Sequence, residues 1–219
     1  MGEGWSCLEV GAGGGSMAEW LCARVGPTGS VTATDLDTRF LDALELDNLT
    51  VLAHNLLEDP PPGQFDVVHA RLLVEHLPFD AALDALLAAV RPGGFLLVED
   101  LDQVSAVPHP PAPELDAVQE AVLGFMSKAG HDPNCGRRLW GALRERGLTD
   151  VHAEGAVTLM HPGNPGIDFY RFTLEALGPA LVEQGALSQS DLDGARAALA
   201  NPDFAGFSAI LVSASGRRA

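Results

Sequence analysis

The sequence is poor in three features, and each shortage excludes a class of protein. Only three cysteines occur among 219 residues, which is no even disulfide framework and predicts reduced thiols in a cytoplasmic protein. Lysine and arginine total 13 against 30 aspartates and glutamates, and the net charge of −17 repels phosphate backbones and anionic lipid. No apolar run reaches the roughly 18 residues of a membrane span, and the N-terminus lacks a basic-then-apolar signal. We therefore expect a cytoplasmic protein with no nucleic-acid partner and no membrane partner.

What remains is the composition of a globular body. Hydrophobic residues make up 47% of the chain and charged residues 20%, which excludes a disordered polymer. At this length, folding hides roughly 70% of the chain's surface, enough for a full core without covalent staples. We predict one domain over residues 1–219.

Short apolar runs alternate with helical patterns through the first half of the chain. Strands are predicted at 5–10, 30–34, 49–53, 65–69 and 95–99. Ser16 and Glu19 have the spacing of a capping box and predict the start of a helix, and helical periodicity recurs at 40–44 and 83–90. Because the strands are apolar on both faces, the pattern indicates a doubly wound α/β fold with a mostly parallel sheet.

The second half has a different pattern. Residues 102–113 are rich in proline and predict a loop. Helices are then expected at 115–126 and 137–146, a sixth strand at 151–160 and a last strand at 207–213. A helical insertion lies between those two strands, with one stripe at 167–181 and a second helix opened by Ser188. We predict that this insertion is a lid on the sheet.

The most informative segment is the glycine-rich turn after the first strand. Glycine occupies positions 11, 13 and 15, with Glu9 two residues before the first glycine and Ser16 after the last. Glycines at this place let a ligand approach the backbone closely and leave N–H groups free at the helix N-terminus. A dinucleotide-binding turn needs Gly-x-Gly-x-x-Gly, which would require glycine where Ser16 stands.

The spacing Glu-x-Gly-x-Gly-x-Gly instead resembles motif I of the class I S-adenosylmethionine (SAM)-dependent methyltransferases. The resemblance covers residues 5–101 and includes the Arg-Pro-Gly-Gly turn that ends at Gly94. It implies a Rossmann-like, seven-stranded sheet with an antiparallel last strand, a cofactor half over 1–101 and a substrate and lid half over 102–219. It also implies SAM as cofactor, S-adenosylhomocysteine as product, and methyl transfer to a small organic molecule, including those of secondary metabolism.

The resemblance implies a set of cofactor-binding residues at the strand ends. They are Glu9, Gly11, Ala12, Gly13 and Gly15 in the first turn, Asp35 and Leu36 after the second strand, Asn55 and Leu56 after the third, and Ala70 and Arg71 after the fourth. A carboxylate suits the two O–H donors of a ribose, and an amide can both donate to and accept from an adenine edge. The simpler interpretation is that Asp35 and Asn55 only form turns.

Methyl transfer from a sulfonium depends mainly on positioning, and a base is needed only where the acceptor loses a proton. We name His131 and then His109 as candidate bases, although each is also readable as a solvated loop histidine. His69, inside the fourth strand, is expected to be a buried, hydrogen-bonded residue. The arginines of 137–146 fit either a solvated helix face or an anion clamp. No Cys/His grouping has ligand spacing, so no metal site is expected.

Three alternatives remain open at this stage. The same fold could bind SAM without methylating, as a cyclase or binding module. It could serve a nicotinamide-dependent oxidoreductase, which Ser16 disfavours. It could also be an inactive, truncated paralogue, since family members usually carry a helical stretch before the first strand and only four residues precede it here. O-, N- and C-methylation are not distinguished, nor are a monomer and a homodimer.

Overall fold

The chain folds into two compact units. The computed structural model describes the backbone of residues 1–103, 107–109 and 111–219, and the side chains of these residues except 107–109. The first unit comprises Met1–Leu101, Cys135–Glu154 and Val212–Ala219, and the second comprises Asp102–Asn134 and Gly155–Leu211. The segment 102–219 therefore contributes residues to both units.

The described residues form ten strands and six α-helices. The strands are β1 (Ser6–Val10), β2 (Ser30–Asp35), β3 (Leu49–Ala53), β4 (Phe65–Arg71), β5 (Val90–Asp102), β6 (Val107–His109), β7 (Thr149–Ala156), β8 (Leu159–Met160), β9 (Ala205–Phe207) and β10 (Ile210–Arg217). The helices are α1 (Ser16–Val25), α2 (Phe79–Ala88), α3 (Pro113–Lys128), α4 (Cys135–Glu145), α5 (Gly166–Glu183) and α6 (Gln189–Ala200).

The first unit is built on a seven-stranded sheet with the order β3-β2-β1-β4-β5-β10-β7. Strands β1 to β5 pair in parallel. Strand β10 runs antiparallel to β5, because Gly93 N–H donates to the Arg218 carbonyl while Arg218 N–H donates to the Gly94 carbonyl. The predicted doubly wound α/β fold, with a mostly parallel sheet and an antiparallel last strand, is confirmed.

Both faces of this sheet are covered. Cys7 and Leu8 are consecutive in β1 and point to opposite faces, yet both are buried. Leu8 belongs to a large apolar cluster that includes Leu83 of α2 and Leu139 of α4, whereas Cys7 packs in a cluster with α1. Burial on both faces explains why the parallel strands read as short, continuous apolar runs in the sequence.

The second unit has a small antiparallel sheet and three helices. Its strand order is β6-β9-β8, and α3, α5 and α6 share an apolar cluster that includes Val122, Leu174 and Leu192. The predicted start of α6 is confirmed, because the Ser188 hydroxyl accepts a hydrogen bond from Asp191 N–H at 3.0 Å. No helix among the described residues combines the length and apolar character that a membrane crossing requires.

Several local predictions were wrong, for identifiable reasons. The N-cap of α1 is Gly15 rather than Ser16, because the left-handed backbone of Gly15 (φ 83°) turns the chain into the helix without a side-chain cap. The predicted helix at 40–44 is only a 3₁₀ turn, Leu41–Ala43, since Phe40 is exposed and Leu41 alone is buried.

The boundaries of the later strands also differ from the prediction. The apolar run 151–160 forms two strands, because β7 joins the seven-stranded sheet and β8 pairs with β9. The run 207–213 is divided between β9 and β10 in the same way. Part of the proline-rich segment is extended rather than a loop, since 107–109 form β6 and pair with β9.

Candidate functional site

The turn between β1 and α1 uses its glycines for two different purposes. Gly11, Gly13 and Gly15 all have a left-handed backbone, with φ of 68°, 53° and 83°. A Cβ at Gly15 would lie 2.5 Å from Leu44 Cδ1, and one at Gly11 would lie 3.0 Å from Leu73 Cδ1, so a side chain at either position would crowd a neighbouring leucine. A Cβ at Gly13 or Gly14 would meet nothing within 4 Å. The middle of the turn therefore faces open space.

Asp35, the last residue of β2, fastens this turn to the neighbouring strand. Its Oδ2 accepts a hydrogen bond from Gly13 N–H at 2.8 Å, and its Oδ1 accepts one from Asp37 N–H at 3.1 Å. Gly11 and Ala12 also donate their N–H groups to the Thr34 carbonyl. A carboxylate therefore lies at the open part of the turn, as the sequence predicted, and it holds the turn in place as well.

The residue after Asp35 is an exposed leucine. Leu36 has 75% of its surface accessible, which is unusual for a large apolar side chain next to a carboxylate. An apolar side chain and a hydrogen-bond acceptor side by side suit a ligand with an apolar ring and a sugar.

Asn55, after β3, has a local structural role. Its side-chain Oδ1 accepts from Leu57 N–H at 3.0 Å, and its own N–H donates to Asp59 Oδ2 at 2.8 Å. These contacts form an Asx-turn, which is the simpler interpretation of this residue. The Asn55 Nδ2 group makes no hydrogen bond within the described part of the chain, and Leu56 packs against the core of the first unit.

The end of β4 approaches the glycine turn. Ala70 is fully buried between Val10 and Val98 on the neighbouring strands. Arg71 Nη2 lies 3.5 Å from Ser16 Oγ at the start of α1. The ends of β1, β2 and β4 therefore meet around one turn.

Beneath this turn, polar side chains form a hydrogen-bonded row. His69 Nδ1 lies 2.5 Å from Glu9 Oε2, and His69 Nε2 lies 3.4 Å from Glu99 Oε2. The Ser213 hydroxyl donates to the other Glu99 oxygen. His69 is buried and hydrogen-bonded, as predicted, but its partners on β1 and β5 are far away in the sequence, and no local pattern indicates them.

The row shifts the pKa of each of its titratable members. Burial lowers the pKa of the His69 imidazole, but the hydrogen bonds to Glu9 and Glu99 and their charges outweigh burial and raise it to about 9. Burial raises the pKa of the Glu9 carboxyl against the opposing effect of His69. The hydrogen bond from His69 lowers the pKa of Glu99.

A second buried carboxylate that the sequence analysis missed supports the segment after β4. Asp100 Oδ2 accepts from Val74 N–H at 2.9 Å and from Glu75 N–H at 3.3 Å. Burial raises the pKa of Asp100 to about 6, although these hydrogen bonds oppose the shift. Leu72, the first residue after β4, has a positive φ of 54°, which is strained for leucine. Asp100 therefore fixes a turn at the carboxyl end of β4.

The two candidate bases lie in the second unit. His131 is buried, so the interpretation as a solvated loop histidine is wrong; its N–H donates to the Met126 carbonyl, and its Nε2 lies 3.3 Å from Gln103 Nε2. The backbone of His109 pairs with Ala205 in the small sheet, and the His109 side chain lies outside the described residues.

Three of the arginines of 137–146 make contacts within the first unit. Arg146 forms ion pairs with Asp80 at 2.9 Å and Asp84 at 2.7 Å, at one end of α2. Arg138 lies 3.7 Å above the Phe79 ring, and Arg144 lies 4.7 Å above the Trp140 ring. These contacts tie α4 to α2 and do not favour the anion clamp.

Comparison with known proteins gives a consistent result. A family model described as a methyltransferase domain matches residues 2–153. Methyltransferase str3 of Strobilurus tenacellus is 32% identical over 168 residues, covering 74% of this chain and 60% of that protein. A ubiquinone biosynthesis O-methyltransferase of Albidiferax ferrireducens is 34% identical over 110 residues, covering 46% of this chain and 42% of that protein.

A solved structure has the same fold. The phosphoethanolamine N-methyltransferase 2 of Haemonchus contortus, in complex with phosphomonomethylethanolamine and S-adenosylhomocysteine, aligns over 100% of this chain and 49% of its own, with a TM-score of 0.58 and 17% identity. The chain spans 60% of the length of the first curated relatives that it matches.

Proposed function

Because the chain belongs to the methyltransferase-domain family, we propose that its first unit binds SAM and that the protein transfers the methyl group to a small organic acceptor. The observation that carries the proposal is the open turn at Gly13 and Gly14 beside the Asp35 carboxylate. Backbone in open space next to a carboxylate at the end of β2 fits an adenosyl ligand. When bound, SAM supplies a methyl group on a positively charged sulfur.

Each implied residue has a task in this proposal. Asp35 accepts hydrogen bonds from the ribose hydroxyls, with Leu36 against the adenine ring. Asn55 retains its Nδ2 group for the adenine edge, and Leu56 supports that side of the site. Glu9, Gly11, Ala12, Gly13 and Gly15, with Ala70 and Arg71 from β4, surround the methionine part.

The class of methyl acceptor and the base that would take its proton are proposed from fewer observations. The net charge of −17 disfavours a nucleic-acid acceptor, and similarity to an O-methyltransferase supports a small molecule. His131, and after it His109, stay predictions as the base for an acceptor that loses a proton. Where the nucleophilic atom of the acceptor carries no proton that must be removed, the protein catalyses the transfer by holding the acceptor and SAM in line.

The proposal is tested by filling the open turn. Gly14 has no left-handed backbone and no neighbour within 4 Å, so Gly14→Val leaves the fold intact, whereas Gly13→Val adds backbone strain. We expect Gly14→Val to weaken SAM binding about 100-fold, the equivalent of an overpacking cost of about 3 kcal/mol. The readout is isothermal titration calorimetry with SAM.

Gly124→Val is the matched control for this test. Gly124 lies in α3 of the second unit, and a Cβ there would also meet nothing within 4 Å, so the same side chain is added in the other unit. We expect its SAM affinity to equal that of the wild type. Equal affinity in Gly14→Val as well would remove the glycine turn from the proposed site.

A further inference from the structure

The buried polar row crosses four neighbouring strands. Glu9 of β1 and His69 of β4 are direct partners in the sheet register, Glu99 lies on β5, and Ser213 lies on β10. The contacts run without a break from Glu9 through His69 and Glu99 to the Ser213 hydroxyl. A row of this kind inside an apolar sheet has no packing purpose that aliphatic residues would not serve better.

The contacts specify the charges in the row. Glu99 accepts from the Ser213 hydroxyl and faces His69 with its other oxygen, so it acts as a carboxylate acceptor on both sides. An ionised carboxylate can only accept, and both ring nitrogens of His69 face carboxylates. When Glu9 is ionised as well, both nitrogens donate and His69 is an imidazolium between two carboxylates. The row then carries one net negative charge.

Each member of the row depends on the others. The side chains of His69 and Glu9 are 1% and 2% exposed, so water cannot stabilise the charge on either. The charged groups that face His69 are Glu9 from β1 and Glu99 from β5, and Arg71, on β4 itself, acts on both carboxylates. Burial raises the pKa of Glu9 and His69 opposes this shift, so without the imidazolium the Glu9 carboxylate would take up a proton more readily.

We propose that His69 is a positioning residue, which holds the Glu9 carboxylate ionised and fixed beneath the glycine turn, so that the β1 end of the row carries a negative charge that attracts a cationic ligand. This inference rests on the proposed function for the identity of that ligand, since SAM is positively charged at its sulfonium and its ammonium. His69 acts through Glu9 and does not touch the ligand. Ser213 holds the far end of the row by fixing Glu99.

The state of His69 is tested first without any ligand. Side-chain ¹⁵N NMR of the wild-type protein is expected to show a doubly protonated imidazole for His69 at pH 7.5, which loses its proton only near pH 9. Glu9→Gln keeps a hydrogen-bond acceptor but removes its charge, and the titration should move to lower pH. A neutral His69 imidazole at pH 7.5 in the wild type would overturn the inference.

The effect on binding is then measured as a pH profile. Wild-type SAM affinity should change little between pH 6 and pH 8, because Glu9 stays ionised. In His69→Leu the affinity should fall about tenfold for each pH unit below the raised pKa of Glu9, since only the ionised form attracts the ligand. A pH-independent affinity in His69→Leu would contradict the inference.

Two further variants keep the test decisive. Ser6→Ala breaks a hydrogen bond to Asp66 between the same two strands at their opposite end, so it perturbs the sheet but should leave the pH profile flat. If His69→Leu does not fold, Ser213→Ala takes its place as a smaller change. Ser213→Ala should lower the pH at which His69 titrates. If the wild type binds no SAM, the proposed function fails, while the NMR titration still decides the charge of His69.

Discussion

At the scale of single residues, the proposed function gives Asp35 two tasks, because the oxygen that would meet a ribose also accepts from Gly13 N–H. We expect Asp35→Ala to weaken SAM binding by about 1.5–3 kcal/mol, the usual contribution of hydrogen bonds to a charged group. Asp37→Ala is the control, since it removes the same charge two residues later, from a side chain that pairs with Arg39. Calorimetry should find the affinity of Asp37→Ala unchanged, and an equal loss in both variants would mean that only net charge matters.

The residue scale is also where the sequence analysis reached its limit. In the sequence, Glu9 is recognisable as part of the glycine motif, and His69 as a polar residue in an apolar strand. Their side-chain contacts are not recognisable, because His69 and Glu9 are separated by 60 positions, and Ser213 and Glu99 by 114. Side-chain partners on neighbouring strands depend on sheet register, which the chain acquires only when it folds.

Elements were predicted well where one local rule determines them, as at the start of α6. Ser188 accepts from Asp191 N–H, and Ser188→Ala should lower the free energy of unfolding by about 1 kcal/mol. Ser190→Ala is the control, because Ser190 lies within α6 and caps nothing. Urea unfolding should shift to lower midpoints in Ser188→Ala alone. A similar shift in both variants would assign the effect to the loss of a surface hydroxyl.

Element boundaries were predicted less well where one apolar run contributes to two sheets. Residues 151–160 were predicted as a single strand, but β7 joins one sheet and β8 the other. Hydrophobic periodicity reports that a segment is extended and half buried, and it does not report which neighbour it pairs with. The doubly wound α/β fold, by contrast, was predicted, because strands that are apolar on both faces and alternate with helical patterns indicate a mostly parallel sheet covered by helices.

At the scale of the whole molecule, the buried groups predict how stability depends on pH. The folded-state pKa of His69 is raised to about 9, so its stabilising contribution is complete below its unfolded pKa of 6.5 and is lost as the pH rises through 9. We therefore expect urea midpoints to fall from pH 6.5 to pH 9. In His69→Gln this slope should flatten, and an unchanged slope would show that His69 is neutral in the folded protein.

Asp100 predicts a separate slope at lower pH. Its folded-state pKa is raised from 3.8 to about 6, so the folded protein binds a proton in this range that the unfolded chain has released. Stability from this group therefore falls as the pH rises from 3.8 to 6. Asp100→Asn should remove that contribution in urea titrations, while the slope between pH 6.5 and pH 9 stays. If the dependence of stability on pH between 3.8 and 6 is the same in Asp100→Asn as in the wild type, it arises from other carboxylates.

The central claim is that the first unit binds SAM around the glycine turn between β1 and α1. Calorimetric titration of the whole chain with SAM and with S-adenosylhomocysteine tests it most directly. We predict micromolar binding of both ligands with one site per chain, which would justify a screen of small-molecule acceptors for methylation. Binding of neither ligand at millimolar concentration would contradict the proposed function and leave the fold as it is.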